Sequence, residues 1–317
     1  MRKKSRCSMA DIAAVLHVSP STVSRALRSD PSISFAVTEK VLAEARRQGY
    51  VFLNRKNLVI VLPDGSMSNY DFCMMDAICR QCNISGLSWE IVNYRNLPVI
   101  QERLIHGIIS LDYRNLRSSP LVGILNLPLV AVNDSPNVEV HSISSDADDG
   151  IRQALRHLKK LGHQKIIYLY SVNRKNYCSA NRLEAFSRTG GEMNLICRHF
   201  PIMTNARYGD DLAAIVREQM NDGFTAVLAE GETIGIHAGS CLQRNGIRIP
   251  EELSLITWDI PGVSEHLSPP MTAIRQDFTA LAEAAVNAMS ALWRGEEPPL
   301  TTKIPYLFFE RESTARL

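Results

Sequence analysis

The chain has 317 residues, of which 45% are hydrophobic and 21% charged. This balance is typical of soluble globular proteins, and the length allows two or three domains. The formal net charge of +2 hides an uneven distribution, because residues 1–56 carry 11 Lys and Arg against 4 Asp and Glu, whereas the remainder carries 24 against 29. A basic head on a mildly acidic body favours a polyanionic partner for the head alone.

Membrane insertion is disfavoured by the short length of the apolar runs, and secretion by the character of the N-terminus. The longest runs, such as 58–63, have the length of a strand, far below the roughly 20 residues of a membrane span. The basic N-terminus leads into an amphipathic stretch that contains Asp11, unlike a secretory signal. Seven cysteines without a regular framework fit reduced thiols. We therefore expect a cytoplasmic protein with no membrane partner.

Residues 9–49 show helical spacing throughout. The spacing predicts three short helices with apolar faces formed by Met9, Ile12, Ala13 and Leu16, by Val23, Ala26 and Leu27, and by Val41, Leu42 and Ala45. Gly49 is placed to end the third helix, because glycine readily takes the left-handed conformation that terminates helices.

From Asn57 the pattern changes to short apolar runs separated by helix-length segments. Strands are predicted at 58–62, 89–94, 107–112, 127–133, 165–170, 196–200, 225–230 and 253–259. Helices are predicted at 72–84, 149–160, 180–188, 210–220 and 234–244. This alternation indicates an α/β body with two parallel sheets, in which ligands bind beyond the carboxyl ends of the strands.

The stretch VSPSTVSRAL has the chemistry of the second helix of a helix-turn-helix. Ser19 suits the N-cap and Pro20 the first helical position. Val23 and Leu27 form an apolar back, while the outward side chains are able to reach phosphates and base edges; they are Ser21, Thr22, Ser24 and Arg25. A capped amphipathic helix without a DNA role remains the alternative at this point.

The chain resembles the lactose-repressor/galactose-repressor family in several segments that occur in the family's order. These are 9–50, DADDGIRQALRHLKKLGHQKI (146–166), NRLEAF (181–186), NGIRIPEELSLITWD (245–259), SPPMTAIRQDF (268–278) and the tail FERESTARL. The resemblance implies a ligand-responsive transcriptional regulator that binds operator DNA as a homodimer. It also implies a periplasmic-binding-protein-like body of two Rossmann-like subdomains, with a small polar effector, expected to be a sugar, between them.

The resemblance implies the following domain boundaries. The head with its connector is expected at 1–56 and the effector-binding body at 57–317. Within the body, one subdomain is expected at about 57–146 and 276–306, and the other at about 147–275 and 307–317. The chain then crosses between subdomains near residues 147, 275 and 307, which restricts their motion to opening and closing.

The head departs from the family at the first turn and on the reading face. His17 stands where the family usually has glycine, and we expect the turn to survive because histidine tolerates a left-handed backbone. The reading side chains are short, so base readout is expected to depend on Arg25, with Arg28 available for phosphate. The full set expected to contact DNA is Ser19, Pro20, Ser21, Thr22, Ser24, Arg25, Arg28 and Ser34.

The connector is about nine residues shorter than in the family. Only six residues, VFLNRK, separate Tyr50 from the segment NLVIVLP that contains the first predicted strand. They span at most about 20 Å. This leaves no room for the hinge helix whose leucine enters the minor groove. Packing of Phe52 and Leu53 against the first strand is favoured over a substitute wedge. An alternative function is therefore a sugar-binding protein whose head no longer binds a specific operator.

The resemblance places the effector contacts on Arg182, Asp259 and Gln276. A guanidinium and a carboxylate that face each other suit neutral polyols, because one donates hydrogen bonds and the other accepts them. Asn133 falls where relatives often have aspartate. Trp258 offers an apolar face to a sugar ring, although a buried aromatic beside the site is the favoured interpretation.

Two positions break the family's ligand pattern. Glu230-Gly231-Glu232 replaces the usual Ala-Asn-Asp, which removes a ligand-facing amide and adds a carboxylate. Thr204 lies about where several sugar-binding members have an aromatic residue. Glu230 either accepts hydrogen bonds from hydroxyls, pairs with a cationic ligand, or is an internally paired or solvated carboxylate.

No other motif indicates catalysis or metal binding. Cys79 and Cys82, with Cys73 nearby, lack partners at metal spacing and read as buried small apolar residues. His163 is explained by a role at a helix C-terminus. Phosphate loops and hydrolase motifs are missing from the sequence. We therefore expect a repressor of a carbohydrate-utilisation operon that is not an enzyme and uses neither metal nor cofactor.

Overall fold

Three helices form the head in the computed structural model: α1 (Met9–Leu16), α2 (Pro20–Leu27) and α3 (Phe35–Arg47). The structure describes residues 7–27, 30, 32–50, 56–65, 67–102, 105–119, 127–133, 140–171, 177–203, 208–259 and 261–317. The helices share a core of Ile12, Ala13, Val23, Ala26, Leu27, Val41 and Ala45. The three predicted helices are confirmed, and so are their apolar faces except at Met9, which begins α1 and is 39% exposed.

The ends of the head helices follow from particular residues. Ser8 and Asp11 form a reciprocal capping box that begins α1. His17 ends α1 in the left-handed region, with φ 53° and ψ 40°, so the turn keeps its conformation without glycine, as expected. Gly49 has φ 66° and Tyr50 donates its backbone N–H to the Ala45 carbonyl at 2.9 Å, which ends the third helix as predicted.

The first sheet has six described strands in the order β11-β5-β4-β3-β1-β2. Their bounds are Asn57–Leu62 (β1), Ser88–Asn93 (β2), Gly107–Ser110 (β3), Leu129–Val132 (β4), His141–Ser145 (β5) and Thr301–Ile304 (β11). The pairs β1/β2, β1/β3 and β3/β4 are parallel. The helices of this part are α4 (Asn69–Ile84), α5 (Tyr113–Leu116) and a 3₁₀ segment, Tyr94–Glu102.

The second sheet has the order β12-β10-β9-β8-β6-β7. Its strands are Lys165–Ser171 (β6), Ile196–Ile202 (β7), Ala226–Ala229 (β8), Ser254–Trp258 (β9), Thr272–Gln276 (β10) and Tyr306–Phe309 (β12). Only β12 among them pairs antiparallel, with β10. The remaining helices are Ala147–Lys160 (α6), Tyr177–Glu192 (α7), Tyr208–Asn221 (α8), Gly231–Arg244 (α9) and Phe278–Trp293 (α10), with a 3₁₀ turn at Ser264–His266.

The eight predicted strands and five predicted body helices are all present, with ends shifted by a few residues. The prediction omitted β5, β10, β11, β12 and α10. These strands have four or five residues each and several are polar, as in HSISS and TTKI, so their apolar periodicity is weak. They also flank the places where the chain passes from one sheet to the other: after β5, after β10 and after β11.

The chain divides into two units. The first unit comprises residues 1–142 and 282–301, and the second comprises 143–281 and 302–317. In the second unit, apolar residues pack on both faces of the sheet, as parallel sheets covered by helices require. No helix within the described ranges is long and apolar enough to cross a membrane.

Candidate nucleic-acid interface and ligand site

The start of α2 is held by hydroxyl groups. The Ser19 hydroxyl accepts the backbone N–H of Thr22 at 3.0 Å, which confirms the predicted N-cap. The same oxygen lies 2.7 Å from the Ser21 hydroxyl and 2.8 Å from the Thr22 hydroxyl. Three hydroxyls are thus clustered at the helix N-terminus, where backbone N–H groups and the helix dipole favour an anion such as a phosphate.

The two faces of α2 differ sharply in exposure. Ser19, Pro20, Ser21 and Arg25 are exposed, and Thr22 and Ser24 are half-buried. Val23 and Leu27 are buried in the head core, as predicted. The helix therefore presents hydroxyls and one guanidinium to solvent over an apolar back.

Two further predicted DNA contacts lie outside α2. Ser34 is exposed, and its carbonyl accepts the N–H groups of Val37 and Thr38, both at 3.0 Å, at the start of α3. Arg28 and the connector residues 51–55, which include Phe52 and Leu53, lie outside the described residues. The roles of all eight residues in DNA contact stay predictions.

Arg182 lies at the centre of a buried polar cluster in the second unit. Its side chain, on α7, is only 8% exposed, and its Nη1 donates to Glu230 Oε1 at 3.3 Å. The guanidinium also lies over the Trp258 ring, 5.0 Å from the centroid, a distance that permits a cation–π interaction. Arg182 is therefore paired inside the protein.

Tyr306, the first residue of β12, joins Arg182 to Gln276. Its hydroxyl accepts Arg182 Nη2 at 3.0 Å and Nε at 3.3 Å, and Gln276 Nε2 at 3.5 Å. Gln276 and Tyr306 are opposite each other in the β10/β12 pair. The position of Tyr306 is set by Asp149 Oδ2, which accepts its backbone N–H at 2.9 Å.

Glu230 follows β8 directly and precedes α9. It occupies the N-cap position of α9, yet its side chain makes no capping hydrogen bond and contacts Arg182 instead. Of the alternatives left open for this residue, the structure shows internal pairing. Glu232, whose side chain lies outside the description, and Thr204, which is not among the described residues, stay predictions.

Asp259 directly follows β9 and has different partners from those expected. Arg311 Nη2 donates to its Oδ2 at 3.2 Å, and Arg275 Nη1 lies 3.8 Å from the same oxygen. Within the described residues, Arg182 thus pairs with Glu230 rather than with Asp259. Arg311 also contacts Glu265 at 3.3 Å.

Several buried polar atoms around Arg182 and at Asp259 meet no described hydrogen-bond partner. They are Glu230 Oε2, Asp259 Oδ1, Trp258 Nε1 and the Tyr168 hydroxyl. Burial, together with the negative charge of Glu230, raises the pKa of Tyr168 well above its ordinary value. Buried polar groups are normally hydrogen-bonded, so unsatisfied atoms at the ends of parallel strands are expected where a ligand or water binds.

Trp258 and Asn133 complete the predicted ligand contacts. Trp258 is buried and its ring meets Tyr168 edge-on, with centroids 6.2 Å apart. Asn133, in the first unit, directly follows β4 with φ 51° and donates Nδ2 to the Tyr70 hydroxyl at 2.9 Å. The structure therefore brings Arg182, Glu230, Trp258 and Gln276 together. Asn133 belongs to the other unit.

Sequence reasoning missed Tyr306 and Tyr168 beside Arg182, and Arg275 and Arg311 as the partners of Asp259. Tyr168 lies in a strand that was predicted, but an apolar run does not reveal that its hydroxyl is near a carboxylate. The other three lie in or beside the short strands β10 and β12, which were not predicted. The one available signal was the matching tail FERESTARL, which contains Arg311.

Metal binding and thiol chemistry are not indicated. Among the described residues, no group of three or more His, Cys, Asp or Glu is arranged to hold a metal ion. Burial raises the pKa of Cys82 to about 12, so its thiol is protonated at neutral pH. His163 does not act through its side chain as a helix cap: its ring contacts the Thr225 hydroxyl at 2.8 Å and the Ala315 carbonyl at 3.1 Å.

Two protein-family models match the chain. Residues 8–51 match the model for bacterial regulatory proteins of the lacI family. Residues 155–314, half of the chain, match the model for the periplasmic binding protein-like domain. The first match covers the head described above, and the second covers the cluster around Arg182.

Curated relatives and solved structures agree with these matches. The HTH-type transcriptional repressor PurR of Haemophilus influenzae (strain PittEE) is 23% identical over 300 residues, covering 88% of this chain and 89% of the relative. The lactose operon repressor of Escherichia coli (strain K12) is 26% identical over 195 residues, covering 60% and 52%. Neither relative is an enzyme.

Similar folds are found over nearly the whole chain. A lac repressor dimer bound to operator and the anti-inducer ONPF aligns with TM-score 0.70 and 20% identity, covering 98% of this chain and 99% of that one. The regulator CelR in complex with cellobiose aligns with TM-score 0.65 and 20% identity, covering 97% and 100%. With its helix-turn-helix head and two-sheet α/β body, this chain belongs to the lacI family of DNA-binding bacterial regulatory proteins.

Proposed function

We propose that this protein is a repressor of a carbohydrate-utilisation operon that binds operator DNA through its head and responds to a small sugar. The observation that carries the proposal is the construction of α2. A hydroxyl-capped N-terminus and an exposed Arg25 stand over buried Val23 and Leu27. Such a helix fits the major groove, where an arginine is able to bind guanine through two hydrogen bonds.

Charge supports the same assignment. The head has 11 basic against 4 acidic residues, whereas the body has 24 against 29. Lys and Arg that neutralise phosphates release bound counterions, so operator affinity is expected to fall steeply as salt increases. A repressor of this kind acts where the chromosome is, in the cytoplasm.

A gel-shift titration tests the proposal. Full-length protein is mixed with DNA from upstream of its own gene and with unrelated DNA of equal length, at two salt concentrations. We expect retention of the upstream fragment at protein concentrations at least 10³-fold lower than for unrelated DNA. Equal retention of both fragments would support the alternative, a sugar-binding protein whose head has lost its operator.

The effector assignment rests on the cluster around Arg182. Glu230 follows β8, and Trp258 and Gln276 are the last residues of β9 and β10, so the cluster lies at the carboxyl ends of parallel strands, where α/β proteins bind ligands. A guanidinium, carboxylates, an amide and aromatic rings lie together there, a combination suited to sugar hydroxyls and ring faces. The cellobiose complex of the structural neighbour CelR is consistent with a sugar.

We also propose that this protein forms homodimers. Four large apolar side chains of the first unit are exposed at the edge strand β2 and on α4: Phe72 (52%), Ile84 (79%), Trp89 (36%) and Ile91 (41%). Trp89 Nε1 donates to Asn83 at 3.1 Å, which ties the end of α4 to β2. Exposed apolar surface of this kind marks an association site, and an isologous dimer places the same surface on both partners.

Substitution of the exposed edge tests the dimer. Ile91→Glu places a charge on the surface to be buried, so we expect sedimentation velocity to show monomers where the wild type shows dimers. The matched control is Ile196→Glu on the exposed edge strand β7 of the second unit, which should leave the dimer intact. A dimeric Ile91→Glu protein would refute this surface.

A further inference from the structure

Arg182 and the two arginines that contact Asp259 each already face a carboxylate. Arg182 pairs with Glu230 at 3.3 Å. Arg311 lies 3.2 Å from Asp259 and 3.3 Å from Glu265, and Arg275 lies 3.8 Å from Asp259. These three guanidiniums thus face three carboxylates, and among the described residues none of the three is left without a countercharge for an anionic ligand.

Glu230 has one of the two deeply buried carboxylates among these three. Its side chain is 2% exposed, almost as little as that of Asp259 (1%) and far less than that of Glu265 (42%). Its contact with Arg182 replaces a capping hydrogen bond to its own helix, α9. A charge this deeply buried is tolerated only with a countercharge and local dipoles, here Arg182 and the positive end of α9. The pair is consequently a fixed part of the site and not a loose surface contact.

We propose that Glu230 sets the charge of the effector: by occupying Arg182 it excludes carboxylates and phosphate esters, and it restricts the site to uncharged or positively charged ligands. The proposal rests on the function proposed above and specifies the ligand class of the same site. Glu230 acts here through Arg182, as a residue that determines specificity.

Buried acceptor atoms after two neighbouring strands support the same class of ligand. Asp259 Oδ1 and Glu230 Oε2 are buried acceptors that meet no donor in good hydrogen-bond geometry, although the Tyr168 hydroxyl interacts with the Glu230 carboxylate. Strands β8 and β9 are neighbours in parallel register, with Ala229 opposite Thr257, so Glu230 and Asp259 follow adjacent strands at the same edge of the sheet. A ligand that satisfies two such acceptors supplies donors, either hydroxyl or ammonium groups, whereas an anion supplies further acceptors.

Inorganic sulfate tests the proposal without knowledge of the natural effector. The melting temperature of the full chain is measured with sodium sulfate and with sodium chloride at equal ionic strength. We expect no specific sulfate effect on the wild type. In Glu230→Gln, Arg182 loses its countercharge, so sulfate should raise the melting temperature by about 2–4 °C more than chloride does.

Two further variants test whether the sulfate effect on the melting temperature arises at Arg182. The double variant Arg182→Met/Glu230→Gln removes both charges and should lose the sulfate response, even though the N-terminus of α9 remains. Glu218→Gln removes the same charge from an exposed position on α8 and should behave like the wild type. An equal sulfate response in the wild type, Glu230→Gln and Glu218→Gln would overturn the proposal, as would a response that persists in the double variant.

The sulfate experiment still tests the proposal if the Glu230→Gln variant does not fold in the absence of sulfate. In that case sulfate in the refolding buffer is expected to restore it, because the anion replaces the missing carboxylate. Failure of sulfate to restore it, with the double variant folding normally, would count against the proposal. So would a phosphate ester or sugar acid that binds the wild type in calorimetry more tightly than its uncharged counterpart. None of these measurements involves DNA. A failure of operator binding in the gel shift can therefore be distinguished from a failure of this proposal.

Discussion

Two buried charges determine much of the chemistry of the ligand cluster. Arg182 donates to Glu230 on one side and to the Tyr306 hydroxyl on the other. In a region of low effective dielectric, the removal of one member leaves the other charge without compensation, which costs more than the pair contributes. At the residue scale, the pair therefore has to be treated as one unit.

This coupling predicts a strongly non-additive pair of substitutions. Arg182→Met should lower the free energy of unfolding by about 3–5 kcal/mol, because Glu230 is then buried without a countercharge. Addition of Glu230→Gln should recover most of that loss, since both charges are gone. Urea unfolding of the wild type, both single variants and the double variant measures the coupling energy; additive losses would show that the pair is not coupled.

Arg25 is the opposite case, an exposed arginine on a helix whose packing does not need it. Its substitution should leave stability within about 0.5 kcal/mol. If its guanidinium reads a base, loss of the side chain removes discrimination worth about 1–3 kcal/mol. The stability and the DNA-binding effects of this residue are thus expected to separate.

The prediction is that Arg25→Ala melts like the wild type but no longer distinguishes the upstream fragment from copies with single base changes. Competition gel shifts measure this difference. Lys40→Ala, which removes one exposed charge from α3, should weaken binding to all fragments alike. Retained discrimination in Arg25→Ala would remove it from the reading face.

At the scale of elements, the contact between α6 and β12 depends on one glycine. A Cβ on Gly150 would lie 2.8 Å from the ring of Tyr306, closer than packed atoms approach. Tyr306 is also held by its backbone, because Asp149 accepts its N–H and Gln153 donates to its carbonyl at 2.9 Å. The ring has little freedom to move away, so the glycine allows α6 to approach the strand that carries the acceptor for Arg182.

Two effects of opposite sign meet in Gly150→Ala. Alanine in a helix interior is favoured over glycine by about 1 kcal/mol, whereas overpacking costs about 1–3 kcal/mol. We expect the packing cost to win and the free energy of unfolding to fall by about 1 kcal/mol. Gly191→Ala is the control, because its Cβ would meet no atom within 4 Å; a Gly150→Ala protein as stable as the wild type would show that Tyr306 is free to shift.

At the scale of the whole molecule, the C-terminal tail is tied into the second unit by buried histidines. His163 contacts Thr225 and Ala315, and His157 Nε2 lies 2.9 Å from the Thr314 hydroxyl. Burial lowers the pKa of both rings below the ordinary 6.5. The neutral forms are therefore the ones that fit the folded unit.

The sign of the pH dependence follows from these shifts. The unfolded chain takes up protons at a higher pH than the folded chain, so stability is complete above about pH 6.5 and falls as the pH is lowered towards the folded pKa values. Each histidine contributes at most about 1.4 kcal/mol per pH unit in that window. Urea midpoints at pH 7.5 and 5.5 measure the fall. It should be smaller in His163→Gln, and an identical fall in that variant would exclude His163 as a source.

Prediction from sequence succeeded where the signal is local and failed where it is not. The helices of the head, the Ser19 cap and the turn at His17 depend on neighbours in the chain. The long strands were found because apolar runs such as LVIVL are recognisable by themselves. The short strands β5, β10, β11 and β12 were missed, because pairing with distant segments, and not their composition, makes them strands.

The sequence by itself determined the class of fold, the basic head with its capped reading helix and, through several matching segments, the family. Only the tertiary structure decided which charges meet. Glu230 and Tyr306 lie 48 and 124 positions after Arg182 along the chain. The three residues are brought together by α7, the end of β8 and the start of β12. Periodicity and capping are short-range properties of the chain, whereas the partner of a buried charge is selected by the sheet order that packing imposes.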